Sequence, residues 1–312
     1  MRIITQNDFG GPEVLSIEEA PEPRPLPTEV TVRVKAIGLN PLEALIRAGE
    51  FPLLGKPPFV LGWDISGVVE VAQTWRFKPG DEVFGMPHFP RAANAYAEVV
   101  SAPALHLVRK PSVLSHVEAA ALPTVGLTAW QGLVDLGGVS EGDRVLVHGA
   151  GGGVGHVAIQ IAKAFGAEVI ATASASKRPF VEELGADEVV DYASVDFAAA
   201  VRDVDIVFDT LGGNTTGRSL EVLRPGGHLV TAVAMRDAKQ AATFEAAGMR
   251  FSGIGVDPDP VALRGIVDLV EQGKLRVHVH DTFPFDRIAD AHRALETGHL
   301  QGKIALTISD GI

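Results

Sequence analysis

Gly149, Gly152 and Gly155 stand three apart in the stretch "VLVHGAGGGVGHVAIQIAKAFGAEVIATASASKR", Val145 to Arg178. Such spacing suits the holding of a diphosphate. The first glycine permits a sharp turn, and the second lets backbone approach phosphate oxygens with no Cβ in the way. The third lets a helix pack closely on the preceding strand. That helix then offers unpaired N–H groups and the positive end of its dipole. In the commoner G-x-G-x-x-G register, Ala150 takes the first glycine position, ahead of Gly152 and Gly155. The alternative is a Gly-rich turn that binds nothing. The context opposes it: an apolar strand-like run precedes, a helical run follows, and another strand comes about twenty residues on. No G-K-[ST] follows, which argues against a triphosphate loop.

The far end of that next strand separates two dinucleotides. An acid there would accept hydrogen bonds from a ribose 2′-hydroxyl. No acid stands between Ile170 and Arg178. Ser174, Lys177 and Arg178 instead suit a 2′-phosphate, by hydroxyl contact and charge-assisted bonds. The rival reading, a basic pair that merely opens the next helix, places the charges poorly for the helix dipole. The expected cofactor is therefore NADPH.

The elements that must position these residues read as an α/β chain in two parts. Residues 1–115 carry short β-rich runs such as "EVTVRVKAIG" and "ISGVVEVA", broken by Pro and Gly, with a turn-rich connector at Pro21–Pro27. From 116 onward, strands at Arg144–His148, Glu168–Thr172, Glu188–Val190, Asp205–Phe208, His228–Ala232 and Arg250–Ile254 alternate with helical runs. That alternation predicts a doubly wound parallel sheet of the Rossmann type. Gly212, after the fourth strand, and Ala232 and Val233, after the fifth, fall at carboxyl ends, where such sheets bind ligands. Two helical runs and the strand "KIALTI" after residue 260 are expected to return to the N-terminal part.

The totals narrow the function. The 312 residues carry a net charge of −12, which opposes a nucleic-acid surface or an anionic bilayer as partner. No cysteine is present, so disulfides, thiolate nucleophiles and Cys-ligated zinc are excluded. No run reaches the roughly 18 apolar residues of a membrane span. The N-terminal stretch has no signal-peptide pattern, and a cytoplasmic protein is expected.

The glycine stretch with "LGADEVVDY" resembles the quinone oxidoreductase branch of the medium-chain dehydrogenase/reductase superfamily. So do "IGLNPLEALIRAGEFP", "GWDISGVV", "KPGDEVFG", "AALPTVGLTAWQGL", "DIVFDTLGG", "LRPGGHLV" and "GKIAL", in order along nearly the whole chain. The resemblance implies a GroES-like catalytic domain, 1–115 with 261–312, and a Rossmann NADP(H)-binding domain, 116–260, with the active site in the cleft. It implies NADPH contacts at Thr128, Gly152, Gly153, Val154, Ser174, Lys177 and Tyr192. Lys303 either approaches the cofactor or is a surface lysine. A homodimer joined through the Rossmann edge strand near 251–256 is also implied.

Zinc-dependent relatives place a Cys where Asn40 stands and Gly-His-Glu where Gly62-Trp63-Asp64 stands, so the zinc-free branch is indicated. His278 and His280 are read as a solvated strand face rather than a metal pair. Without metal, a carbonyl must be polarised by hydrogen bonding. Asn40 is the candidate donor, and capping of the "PLEALIRAG" helix is its other role. Glu43 and Arg47, four apart on that helix, are expected to pair with each other. Where relatives often carry tyrosines, Leu45 and Phe51 stand, so the proton is expected from water. Phe51, Trp63 and Leu127 are expected to line a flat apolar pocket for a quinone or an α,β-unsaturated carbonyl. An enoyl-thioester or alkenal reductase, and a non-catalytic NADPH-binding sensor or scaffold, are the alternatives.

Overall fold

The computed structural model describes residues 1–233 and 238–309. In chain order it forms β1 (Arg2–Gln6), β2 (Leu15–Glu19), β3 (Glu29–Leu39), α1 (Pro41–Ala48), β4 (Phe59–Val60), β5 (Asp64–Ala72), β6 (Glu82–Gly85), β7 (Val99–Pro103), β8 (Leu107–Arg109), α2 (His116–Ala121) and α3 (Pro123–Trp130). Then come β9 (Arg144–His148), α4 (Gly155–Ala164), β10 (Glu168–Ala173), α5 (Arg178–Glu183), β11 (Glu188–Asp191), α6 (Phe197–Ala200), β12 (Val204–Asp209), α7 (Asn214–Arg218), β13 (Leu223–Thr231), α8 (Ala238–Ala246) and β14 (Arg250–Gly253). The chain closes with α9 (Pro260–Glu271), β15 (Val279–Pro284), α10 (Ile288–Glu296) and β16 (Lys303–Thr307).

Two compact units result. One holds Met1–Thr124, Asp257–Val267 and the chain from Val277 onward; the other holds Val125–Val256 and Asp268–Arg276. In the first, a sheet runs β15-β16-β3-β5-β6-β8, and β7 also pairs with β3. β3 is its spine, with Val30, Val32, Val34, Ile37 and Leu39 buried. Its register sets up the chemistry at its end. Gly38 faces Asp64 on β5, and Leu39 faces Ile304 on β16. Asn40, the next residue, is thereby carried to Asp64 on one side and Lys303 on the other. A Cβ on Gly38 would stand 2.2 Å from Ala120 O. The missing side chain and the alanines of α2 let helix and sheet backbones meet.

The second unit is a parallel sheet in the order β11-β10-β9-β12-β13-β14, a doubly wound α/β arrangement whose order reverses beside β9. Leu146, Ile170, Val207 and Leu229, one from each inner strand, pack with Phe244 into its core. Strands covered on both faces must be apolar nearly throughout, which is how they read. α3 continues into a π-helical stretch, Gln131–Leu136, where Gly132 lies against Phe208.

Candidate active site

In the second unit the chain leaves β9 at His148 and turns at Gly149, whose φ is +67° and whose Cβ would meet Thr210 Oγ1 at 2.4 Å. Gly152 N–H closes the turn on Gly149 O at 2.9 Å. A Cβ on Gly155 would stand 2.3 Å from that same oxygen, so α4 begins hard against the turn. The N–H groups of Gly151, Gly153 and Val154 have no partner among the described residues. A row of open backbone donors before a ten-residue helix fits an oxygen-rich anion.

The turn is braced from below. Ser219 Oγ donates to Thr215 O at 2.8 Å, so it accepts from His148 Nε2 at 3.1 Å. Nδ1 of His148 then accepts from Thr172 Oγ1 at 3.0 Å. Burial pushes this imidazole down to about 4 and keeps it neutral. Asp209, at the end of β12, accepts from Leu211 N at 2.9 Å, Gly212 N at 3.1 Å and Thr216 Oγ1 at 2.5 Å. That clamp shapes the loop holding Gly212, whose φ is +79°. A Cβ on Gly212 would touch Val233 Cγ2 at 2.7 Å. Gly152, Gly153, Val154, Gly212, Ala232 and Val233 thus share the carboxyl edge of one sheet. Thr128 is buried on α3, and Tyr192, just past β11, is exposed.

The basic pair after β10 divides. Ser174 Oγ bonds Ser176 Oγ at 3.1 Å, and Lys177 follows in a short 3-10 turn. The stem of Lys177 packs on Gly151: a Cβ there would stand 2.7 Å from Lys177 Cδ. Partial burial holds its amine below the usual lysine range. Arg178 opens α5 and donates to Val189 O at 2.8 Å, with Glu182 at 3.4 Å. Lys177 therefore sits at the glycine turn, while Arg178 ties α5 to β11.

The first unit holds a buried polar network at the end of β3. The Asn40 amide has one orientation, because Lys303 Nζ donates to its Oδ1 at 2.5 Å and its Nδ2 donates to Asp64 Oδ2 at 3.0 Å. Nδ2 also reaches Glu43 Oε1 at a long 3.4 Å. Lys303 is 3% exposed and also bonds Leu39 O, so it is not a surface lysine. Asp64 accepts from Thr124 N at 3.0 Å and Thr124 Oγ1 at 2.7 Å. Asn40 precedes α1, and its own N–H donates to Glu43 at 2.6 Å, the reciprocal half of a capping box. Burial raises the Asp64 and Glu43 carboxyls and lowers the Lys303 amine, while the opposite charges pull each back.

The expected Glu43–Arg47 pair does not form. Arg47 Nη2 meets Glu296 on α10 at 2.6 Å and Nη1 meets His292 Nδ1 at 3.0 Å. Glu43 instead accepts from Tyr96 Oη at 3.2 Å, and Tyr96 Oη meets His292 Nε2 at 3.0 Å. An acceptor with two strong charge-assisted bonds on another helix wins over a same-helix pair. Of the expected pocket residues, Phe51 is 40% exposed, while Trp63 and Leu127 are core. Trp63 stacks edge-on against Phe89 and donates to Arg91 O at 2.7 Å. Glu43, Asp64, Tyr96 and His292 are the site residues that sequence reasoning did not assign. The capping-box spacing of Asn40 and Glu43 was the signal available for one of them.

Two family models match the chain: alcohol dehydrogenase GroES-like domain over residues 26–112, and zinc-binding dehydrogenase over residues 184–306. The sequence is 33% identical to the mitochondrial NAD(P)H oxidoreductase RTN4IP1 of Danio rerio, over 91% of this chain and 84% of that protein. It is 34% identical to a chloroplastic NADPH-dependent alkenal/one oxidoreductase of Arabidopsis thaliana, over 98% and 79% respectively. Among solved structures, the quinone oxidoreductase from Coxiella burnetii matches with a TM-score of 0.93 and 34% identity, over 99% of both chains.

Proposed function

We propose that this chain, which belongs to the quinone oxidoreductase family of the medium-chain dehydrogenase/reductase superfamily, reduces a quinone or an α,β-unsaturated carbonyl with NADPH and without zinc. One observation carries the reading: N–H groups at Gly151, Gly153 and Val154 without a partner among the described residues, with Lys177 laid over Gly151 and no acid at the end of β10.

When bound, NADPH supplies a hydride from its nicotinamide ring. The loop N–H groups hold the diphosphate, and Ser174 and Lys177 hold the 2′-phosphate with Arg178 beside them. Thr128, Tyr192, Gly212, Ala232 and Val233 shape the remaining cofactor surface. The Asn40 Nδ2–H that reaches Glu43 only at a long 3.4 Å is the one offered to the substrate carbonyl, where it stabilises the charge that develops on oxygen. Lys303, bonded to Oδ1, holds the amide in the orientation that makes Nδ2 the donor. A quinone gains the hydride and one proton to become a hydroquinone; an enone gains the hydride at its β-carbon and the proton at its α-carbon. Water supplies the proton. Of the three expected pocket residues, only Phe51, partly exposed just past α1, offers the substrate an apolar surface; Trp63 and Leu127 are core.

The absence of zinc is supported by the donor set. Asn40 stands at a zinc-ligand position of relatives, and the Lys303 ammonium beside its oxygen repels a dication. We place the enzyme in the cytoplasm from its composition; among the described residues no helix is long and apolar enough to cross a membrane. Among the described residues β14 pairs with β13 alone, and joining two such edges near 251–256 gives the proposed homodimer.

The test is a turnover panel with NADPH or NADH against quinones, enones and enoyl-CoA. Fast NADPH oxidation by a quinone or enone supports the reading. A preference for enoyl-CoA makes the protein a thioester reductase, and NADPH binding without turnover makes it a sensor.

A further inference from the structure

The hydrogen bonds that end on Glu43 have a direction set at their far end. A guanidinium only donates, so His292 Nδ1, 3.0 Å from Arg47 Nη1, must accept. Burial pushes His292 down to about 3, so the ring is neutral and its proton sits on Nε2. Nε2 then donates to Tyr96 Oη at 3.0 Å, and Tyr96 spends its own proton on Glu43 Oε2 at 3.2 Å. Asn40 N–H donates to the same oxygen at 2.6 Å. Oε2 is thus an acceptor whatever the charge of the carboxyl. A proton taken up by Glu43 goes to Oε1, the oxygen that faces Asn40 Nδ2.

We propose that Glu43 is a positioning residue whose protonation on Oε1 releases the second amide N–H of Asn40 from an anionic partner and leaves it to the substrate oxygen. The inference rests on the reading of Asn40 as carbonyl donor. With Glu43 ionised, both Asn40 N–H bonds end on carboxylates, one on Asp64 and one on Glu43. Charge acts in the same direction. Asp64 and Lys303 offset each other, so an ionised Glu43 leaves the cluster with a net negative charge that opposes an oxyanion nearby.

The groups facing Glu43 are Asp64 from β5, Lys303 from β16, Tyr96 from the segment before β7, and neutral His292 from α10. Arg47 lies on its own helix, held by Glu296. Burial pushes Glu43 up to about 8, helped by Asp64 and opposed by the Asn40 N–H and Lys303. The switch therefore works near neutral pH.

The experiment is kcat/KM for a quinone at saturating NADPH from pH 6 to 10. The wild-type value falls above an apparent pKa near 8, and at 1.5 units above that midpoint it is down roughly thirtyfold. Glu43→Gln keeps an acceptor oxygen toward Tyr96 and places N–H groups toward Asn40; its value varies less than about twofold from pH 7 to 9.5. Tyr96→Phe removes a donor to the carboxylate and moves the alkaline limb to higher pH, a shift that a purely structural role would not produce. The same limb in wild type and Glu43→Gln overturns the proposal. If Glu43→Gln does not fold, as read by thermal unfolding and NADPH fluorescence, an unmoved limb in Tyr96→Phe overturns it. Asn40→Ala separates the two readings: retained kcat/KM defeats Asn40 as donor, whereas its loss alongside an unchanged Glu43→Gln limb defeats only the switch.

Discussion

Lys177 lies folded over Gly151, close enough that a methyl group on the glycine would stand 2.7 Å from Lys177 Cδ. The glycine gives the lysine a seat beside the row of open N–H groups. Lys177→Glu replaces an attraction for the 2′-phosphate by a repulsion. A charge-assisted bond contributes about 1.5–3 kcal/mol, so the preference for NADPH over NADH in kcat/KM should fall by at least about tenfold. Gly151→Ala should act in the same direction but more weakly, with Tm little changed, because a flexible stem can move aside. An unchanged cofactor ratio in Lys177→Glu would remove the 2′-phosphate assignment.

Arg47 is 1% exposed and donates to Gly10 O as well as to Glu296 and His292. Arg47→Met strands His292 and the partly exposed Glu296 and should cost about 2–4 kcal/mol in urea unfolding. Arg47→Lys should restore less than half, since a single ammonium lacks the planar fork whose Nε, Nη1 and Nη2 reach three separated acceptors. Stability within 1 kcal/mol of wild type for Arg47→Met would contradict this, at the lower edge of such effects.

Three buried histidines make the fold sensitive to acid. Burial lowers His148 and His228 to about 4 and His292 to about 3, against an unfolded value of 6.5. Between those limits the unfolded chain binds more protons than the native one, so stability rises with pH. Expressed the other way, stability is lost as pH falls from 6.5 toward 4 and is flat with respect to these groups above 6.5. Urea titrations at pH 7.5 and 5 should show it. His148→Asn should lower the pH slope by close to one proton; an identical slope would mean that His148 is charged in the native state.

Zinc-free chemistry predicts that prolonged dialysis against EDTA leaves quinone turnover within error of the untreated enzyme. Elemental analysis should find zinc well below one equivalent per chain. Activity lost to EDTA and regained with zinc would overturn the Asn40 mechanism.

How far the sequence could be read depends on the range of the contacts. The glycine turn is local: strand, turn and helix lie within Arg144–Ala164, and Gly152 and Gly155 both lie close to Gly149 O. The parallel sheet was legible because its inner strands β9, β10 and β12 are mostly apolar and buried. The network around Asn40 was not legible, since it needs the register of β3 with β5 and β16 and the arrival of His292 from α10. Glu43 and Arg47 illustrate the limit. Their four-residue spacing is a helix-surface rule, and both side chains are buried, where partners from other elements decide.

Lys303 reaches Asn40 across 263 residues. During synthesis at about 5–20 residues per second, the ribosome needs roughly 13–50 s to cover that distance. Throughout that interval the nascent β3 has a bare margin at Ala36–Leu39, where β16 will later dock. Such a margin is a ready template for wrong pairing until β16 is made and docks on it.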